Sequence, residues 1–219
     1  MLEALRPTMF VTLQTDVGQQ PAAVREYSAR VQVEWSADQG PDVDLDELSQ
    51  LAKVAAEVLV PELGSIHPTT LVVPVGHGGF VLAELDSPGC WHDLAAKGQD
   101  LGLVGEALRG EASDLSPLRT TVDLVYGRAL IVNSMEIDPG WRGAHYGLLA
   151  IELGMRELGR FADVAALYPM RPGLTDLEER AAANRGLAQY WAHLGFVDYN
   201  GIMILDLAAA GIRDDRGAG

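Results

Sequence analysis

The sequence predicts an α/β protein, a mixed and mostly antiparallel central sheet with helices on both faces. Three observations carry that reading. Apolar runs of strand length, some alternating and some continuous, recur from Phe10 to Leu207. Between them lie longer stretches whose apolar residues fall at helical spacing, notably Leu45–Leu59 and Gly147–Leu158. The resulting order of strand, helix, hairpin, helix, strands, helix, strand, helix and strand is satisfied by one sheet covered on both sides.

The chain has 219 residues, enough for one large domain with its own core. We divide it into a poorly defined extension over residues 1–28, a domain over 29–208 and a tail over 209–219. Within the extension Phe10–Gln14 reads as a short strand, and Pro21–Ser28 as a helical turn or linker. Val31, Val33 and Trp35 alternate with Gln32 and Glu34, the pattern of a half-buried strand. Asp44, with Glu47 three residues on, marks a helix start, and the helix runs to Pro61. The runs TLVVPV and FVLAELD flank Gly76–Gly79, which reads as a β-hairpin turn, with Pro74 at an edge or a bulge. A second helix is expected over residues 92–109, weakened by Gly98, Gly102 and Gly105.

After a loop at GEASDLSPL, the runs TVDLVY and ALIVNSMEI read as two strands meeting near Gly127. The break DPGW then leads into a long helix. Ala162–Pro169 reads as a buried strand, Met170–Ala182 as an acidic connector, and AANRGLAQYWAHLGF as a helix ending at Gly195. IMILDL is a last strand, and the tail beyond it is expected to fray.

Charge and composition exclude several function classes. Thirty-one acidic against sixteen basic residues give a net charge of −15, which opposes binding to nucleic acid and favours a cationic ligand. No run approaches the length of a membrane span, and the N-terminus has no signal-peptide pattern, so a cytoplasmic protein is expected. The single cysteine, Cys90, excludes an internal disulfide and a multi-thiolate zinc site. His67, His77, Cys90 and His92 match no compact metal pattern, so no metal is expected.

The stretch Ala129–Leu158 concentrates the chemistry. A buried strand turns sharply and feeds a helix through a loop bearing glycine and arginine. Such a junction aims backbone N–H groups and the positive end of a helix dipole at one spot, which suits an anion.

VNSMEIDPGWRGAHYGLLAIE is similar to the acyl-CoA-binding motif of the GNAT superfamily of N-acetyltransferases, where a strand ends and an R-G-x-G-x-G/A loop opens the next helix. NRGLAQYWAHLGF separately resembles that superfamily's helix ending in LGF, with Asn184 twelve residues before Phe196. The two together span Ala129–Leu205. The resemblance implies a GNAT-like acyl-CoA-binding fold with acetyl-CoA or another acyl-CoA as cosubstrate. Arg142, Gly143, Ala144, His145, Tyr146 and Gly147 would hold the pyrophosphate. Met135 and Ile137 would run beside the pantetheine arm through main-chain atoms. A splay between their strand and Val164–Leu167 would admit the arm, with Asn184 and Trp191 on the opposite wall.

The chain departs from the motif at three places. His145 stands where the middle glycine is usual, and either packs or bonds a phosphate. Trp191 stands where many members carry a tyrosine acid, with Tyr190 beside it. Asn133 stands at the position of a strand carboxylate base. Strand alternation puts Glu136 on the face opposite Asn133, Met135 and Ile137. Candidate catalytic residues are therefore Asn133, Ser134, Glu136 and Tyr190.

The resemblance implies direct transfer of an acyl group, acetyl first among them, from the acyl-CoA to an amine of a small molecule or peptide. The alternative is a non-catalytic module that binds coenzyme A or a metabolite. Whether the chain is a monomer or a homodimer stays open.

Overall fold

The computed structural model describes residues 8–15, 23–36, 70–110, 115–143, 145–170 and 176–213. The helix expected over Asp44–Leu59 lies outside them, as does Ala144 of the candidate site. The described residues form a seven-stranded sheet in the order β1-β2-β3-β4-β5-β7-β6. The strands are β1 (Thr8–Gln14), β2 (Val24–Ser36), β3 (Thr70–Glu84), β4 (Arg128–Ile137), β5 (Val164–Leu167), β6 (Val197–Tyr199) and β7 (Ile202–Asp206). Among the described residues every neighbouring pair is antiparallel except β4 with β5.

Helices cover both faces. On one side α1 (Cys90–Lys97) and α2 (Gln99–Arg109) bury Leu94, Leu101, Val104 and Leu108 against Val81, Ala129, Ile131 and Ile204. The short α3 (Ser116–Arg119) adds Leu118 to that layer. On the other side α4 (Tyr146–Leu158) packs Ile151, Met155 and Leu158 on Phe80, Leu130, Val132 and Leu167. Gly154 of α4 admits the Phe80 ring: a Cβ there would overlap it. The end of α5 (Leu177–Ala192) joins this second cluster through Ala188 and Trp191. The α/β class, the mixed sheet and the two helical layers agree with the sequence reading.

Several element assignments need correction. Val24–Ser28, expected as a helical turn or linker, is the first part of β2, so this part of the N-terminal extension belongs to the sheet. The expected hairpin at Gly76–Gly79 is instead the middle of the continuous strand β3. Gly76, Gly78 and Gly79 are not among the positive-φ residues, so the chain does not turn there. They act by lacking side chains: a Cβ on Gly78 would lie 2.6 Å from the Ser134 carbonyl, and one on Gly76 would overlap that of Glu136. Glycine lets β4 come close. Pro74 sits where the β2–β3 register slips, next to Gln32, as expected of a proline inside a sheet.

The helix over 92–109 is two helices, divided at Gly98, whose φ of 156° suits glycine. The acidic connector is shorter than expected. Asp176 caps α5 by accepting from the Glu179 N–H at 2.8 Å, so the helix begins at Leu177. The small hairpin β6–β7 turns on Asn200 and Gly201, at φ 52° and 83°, the left-handed pair that a two-residue loop requires.

TVDLVY is not a strand. Its backbone is drawn away by Asp163, fully buried at the start of β5. The Asp163 carboxylate accepts the N–H groups of Val125, Tyr126 and Arg128 at 3.0–3.1 Å. It also takes a 2.6 Å bond from Arg213, whose side chain is 2% exposed. Arg213 Nη1 reaches the Asp123 carbonyl as well, at 3.0 Å. The tail expected to fray is therefore held down as far as Arg213.

Two outcomes follow for stability and reactivity. Asp163→Ala leaves a buried guanidinium and three N–H groups without their acceptor, and is expected to lower unfolding free energy in urea by about 3–5 kcal/mol. A loss under about 1 kcal/mol would contradict the role given to this carboxylate. Burial, with the nearby charges of Asp93 and Glu84, pushes the Cys90 thiol up to about 12. It is thus the neutral thiol at pH 8, and an aromatic disulfide reagent is expected to label it only after unfolding.

Candidate functional site

The site begins where the parallel pair ends. β4 and β5 pair over Ala129–Val132 and Val164–Leu167, and β4 then continues five residues further, to Ile137. Beyond Leu167 the chain departs through Tyr168 to Met170. The opening between them is a cavity of about 870 Å³. Ile131–Ile137 form one wall, Leu167, Tyr168 and Met170 a second, Asp100, Leu101 and Val104 of α2 a third, and Ala183, Gly186, Leu187 and Trp191 of α5 the last. His77 and Arg142 complete its rim.

Within β4 the strand changes phase. Gly79 pairs with Ser134 but Phe80 pairs with Val132, so Asn133 is an extra residue, a β-bulge. Before it, Leu130 and Val132 face the α4 layer. After it, Met135 and Ile137 do. The opposite face near the cavity carries Asn133 and Ser134: a Cβ on Gly79 would meet Ser134 Oγ at 3.4 Å and Asn133 Nδ2 at 3.8 Å. Glu136 shares that face, since it is paired with His77, two residues before Gly79 on β3. The sequence expectation that Glu136 lies opposite Asn133 is therefore wrong. Simple alternation holds only in an unbulged strand.

Polar groups meet at this face. His77 Nε2 lies 3.8 Å from Glu136 Oε2, and the other carboxylate oxygen lies 3.6 Å from Arg142 Nη2. Arg142 also donates from Nε to the Ile137 carbonyl at 2.7 Å, closing the end of β4. All three side chains are more than half exposed, so these charges are solvated and adjustable. The sequence reading took His77 as a turn residue; the one clue to its place was the row of small residues around it.

The junction into α4 is an irregular turn. Pro139–Trp141 is a single 3₁₀ turn, Gly143 has φ 94°, and His145 takes the left-handed conformation at φ 59° as the residue before the helix. His145 makes no side-chain cap bond, and its ring stacks on Tyr190 with centroids 6.3 Å apart. Trp141 and Tyr146 meet edge to face at 5.9 Å. Tyr190 and Trp191 divide into different roles. Trp191 lines the cavity, whereas the Tyr190 hydroxyl lies at the start of α4, 3.1 Å from where a Gly147 Cβ would be. Burial raises the Tyr190 pKa, and a bond from the Leu148 backbone offsets part of that rise. Asn184 is half-buried on α5, next to the cavity-lining Ala183.

The structure thus gathers Asn133, Ser134, Met135, Glu136, Ile137, Arg142 and Trp191 around one cavity. Gly143, His145, Tyr146, Gly147 and Tyr190 lie along the adjoining turn and helix start. The sequence reading missed His77, Asp100, Tyr168 and Leu187, because the strand, helix and loop that bring them together are distant in the chain. Among the described residues no group of three or more His, Cys, Asp or Glu side chains is placed to hold a metal, and no helix is long and apolar enough to cross a membrane.

Compared with known proteins, the chain matches no family model, no curated protein and no solved structure.

Two adjacent glycines of β3, on opposite faces of the strand, give a paired test. Gly78→Ala drives a methyl against the Ser134 carbonyl and is expected to cost about 1–3 kcal/mol in thermal or urea unfolding. Gly79→Ala meets only ordinary contacts and is expected to change stability by under about 0.5 kcal/mol. Equal losses at both would mean that β3 and β4 are not in this register.

Proposed function

We propose that this chain is an acyl-CoA-dependent N-acyltransferase of GNAT type, passing an acyl group directly from the thioester to an amine. The observation that carries the reading is the parting of β4 from β5 after Val132 and Leu167, beside the turn that opens α4. An extended, amide-bearing arm needs a strand edge whose N–H and C=O groups have no ladder partner, and among the described residues Asn133–Glu136 provide one on the side away from β3. The arm's phosphates need positive charge and N–H donors at its far end. Arg142 and the first turn of α4, one after the other in the chain, supply both.

Chemistry at such a site is mainly positioning. The thioester is already activated, so holding a neutral amine against its carbonyl supplies much of the rate. The oxyanion that forms would lie near the bulge, where a β4 N–H or the Asn133 amide can donate to it. Ser134 is a further hydroxyl on the same face. Asp100 and Glu136 bring negative charge to the cavity, which with the net charge of −15 favours a cationic acceptor, a small amine or a basic peptide segment.

A second reading is a module that binds coenzyme A without catalysis. It is favoured by Trp191, which lines the cavity without an acidic proton to give, while the Tyr190 hydroxyl is committed to the start of α4. Calorimetric titration and thiol release separate the two. Acetyl-CoA is expected to bind, and Arg142→Ala to weaken it about tenfold or more, the worth of one charge-assisted phosphate bond. Release of free thiol with a panel of amines supports transfer. Binding without thiol release supports the module, and no binding of any acyl-CoA would overturn both.

A further inference from the structure

The bulge at Asn133 has a chemical result on the neighbouring strand. By shifting the phase of β4 it brings Glu136 to the cavity face, directly across from His77 on β3. His77 lines the cavity, 71% exposed, with Nε2 3.8 Å from a Glu136 carboxylate oxygen. Glu136 is held from its other side by Arg142 at 3.6 Å, and Arg142 is itself tied to the Ile137 carbonyl at 2.7 Å. Glycine on both sides of His77 leaves its ring without crowding neighbours on its own strand. Gly79, the next residue on the same face, leaves open the space before Asn133 and Ser134 where a reacting carbonyl would sit.

We propose that His77 is the general base for the amine acceptor, and that Glu136 is the positioning residue that fixes its ring. This rests on the acyltransfer reading above and adds to it the group that deprotonates the substrate. The need is real: an alkylamine enters as ammonium, whose nitrogen has no lone pair to attack with. A neutral imidazole is suited to take that proton near pH 7, whereas Asn133 and Trp191 are not.

The step balances without any further reactant. The ammonium nitrogen loses one proton to His77 Nδ1, the ring nitrogen that does not face Glu136, and the imidazolium passes it to solvent at the open rim. The freed lone pair attacks the thioester carbonyl, the C–N bond forms and an oxyanion develops. The C–S bond then breaks as the oxyanion collapses. The departing thiolate receives the second nitrogen proton, leaving an amide and a free thiol. Glu136, ionised beside Arg142, orients the imidazole and stabilises the imidazolium between the two transfers.

The charged groups around His77 are Glu136 on β4, Arg30 directly across on β2, and Arg142 and Asp100 on the cavity rim. Protonation of His77 removes the base, so kcat/KM for an amine is expected to fall on the acid side.

Steady-state kinetics on the full chain, with acetyl-CoA and whichever amine of the panel gives most thiol release, test the assignment. His77→Gln is expected to lower kcat about 100-fold or more, to leave calorimetric binding of acetyl-CoA unchanged, and to flatten the acid limb. Imidazole added to His77→Ala is expected to restore part of the rate. Glu136→Gln is expected to lower kcat by about tenfold and to move the acid limb along the pH axis, which a merely structural carboxylate would not do. A wild-type protein that releases thiol while His77→Gln matches its kcat and its pH profile would overturn the role of His77 and leave the acyltransfer reading standing. A wild-type protein that binds no acyl-CoA would overturn that reading, and this assignment with it.

Discussion

One buried carboxylate organises the middle of this fold. Asp163 gathers the N–H groups of Val125 and Tyr126 from the chain before β4, that of Arg128 at its start, and the guanidinium of Arg213 from beyond β7. Its own backbone N–H bonds the Arg128 carbonyl, and its carbonyl accepts from Leu207. The start of β4, the start of β5 and the end of β7 are thereby fixed to a single residue. Parallel strands have no tight turn to set their register, so such a clamp matters most for the one parallel pair. With Ala129 held opposite Val164 at this end, the place where the pair stops, four residues later, is settled too. The cavity lies at the far end of a short rigid lever whose pivot is Asp163.

The rest of the site depends on what is missing from β3. Gly76, Gly78 and Gly79 clear enough space for β4 to lie close and for its bulge to form. Bulges bend and twist a strand and unpair one residue. Here that distortion falls where β4 loses β5 on its other side, so a strand edge, a small polar cluster and the turn to α4 all arise within ten residues of Arg128–Ile137.

Much of this was legible in the sequence, and the failures are instructive. Strongly periodic or continuously apolar segments were read correctly: β4, β5, α4 and β7 declare themselves by burial pattern alone. The break between β4 and α4 was legible because Pro139 and Gly140 interrupt both periodicities. The errors occurred where a tertiary partner overrules local preference. TVDLVY has strand propensity, but Thr121 and Val122 give their N–H groups to the Leu118 carbonyl, and Val125 and Tyr126 give theirs to Asp163, 37–38 residues away in sequence. Gly76–Gly79 has turn composition but serves packing. Glu136 was rightly set opposite Met135 and Ile137, but Asn133 was wrongly grouped with those two, because a bulge leaves no mark in the residues that carry it. Asn200-Gly201 and the Asp176–Glu179 cap did carry local signals, which a closer reading of turn and cap chemistry would have caught. His77 carried only the glycines around it, and its setting comes from the strand beside it.

The extra residue at Asn133 divides β4 into two reading frames. Upstream, even-numbered residues address the α4 layer; downstream, odd-numbered ones do. A residue's surroundings past that point are fixed by how many residues precede it in the strand as well as by its own chemistry. Point changes in the downstream half disturb one position each. Loss of a single residue at the bulge would exchange every partner at once, sending Met135 and Ile137 to the polar cavity and Ser134 and Glu136 toward the apolar layer. The phase of the downstream half thus depends on there being a residue at position 133, whatever further use its side chain has.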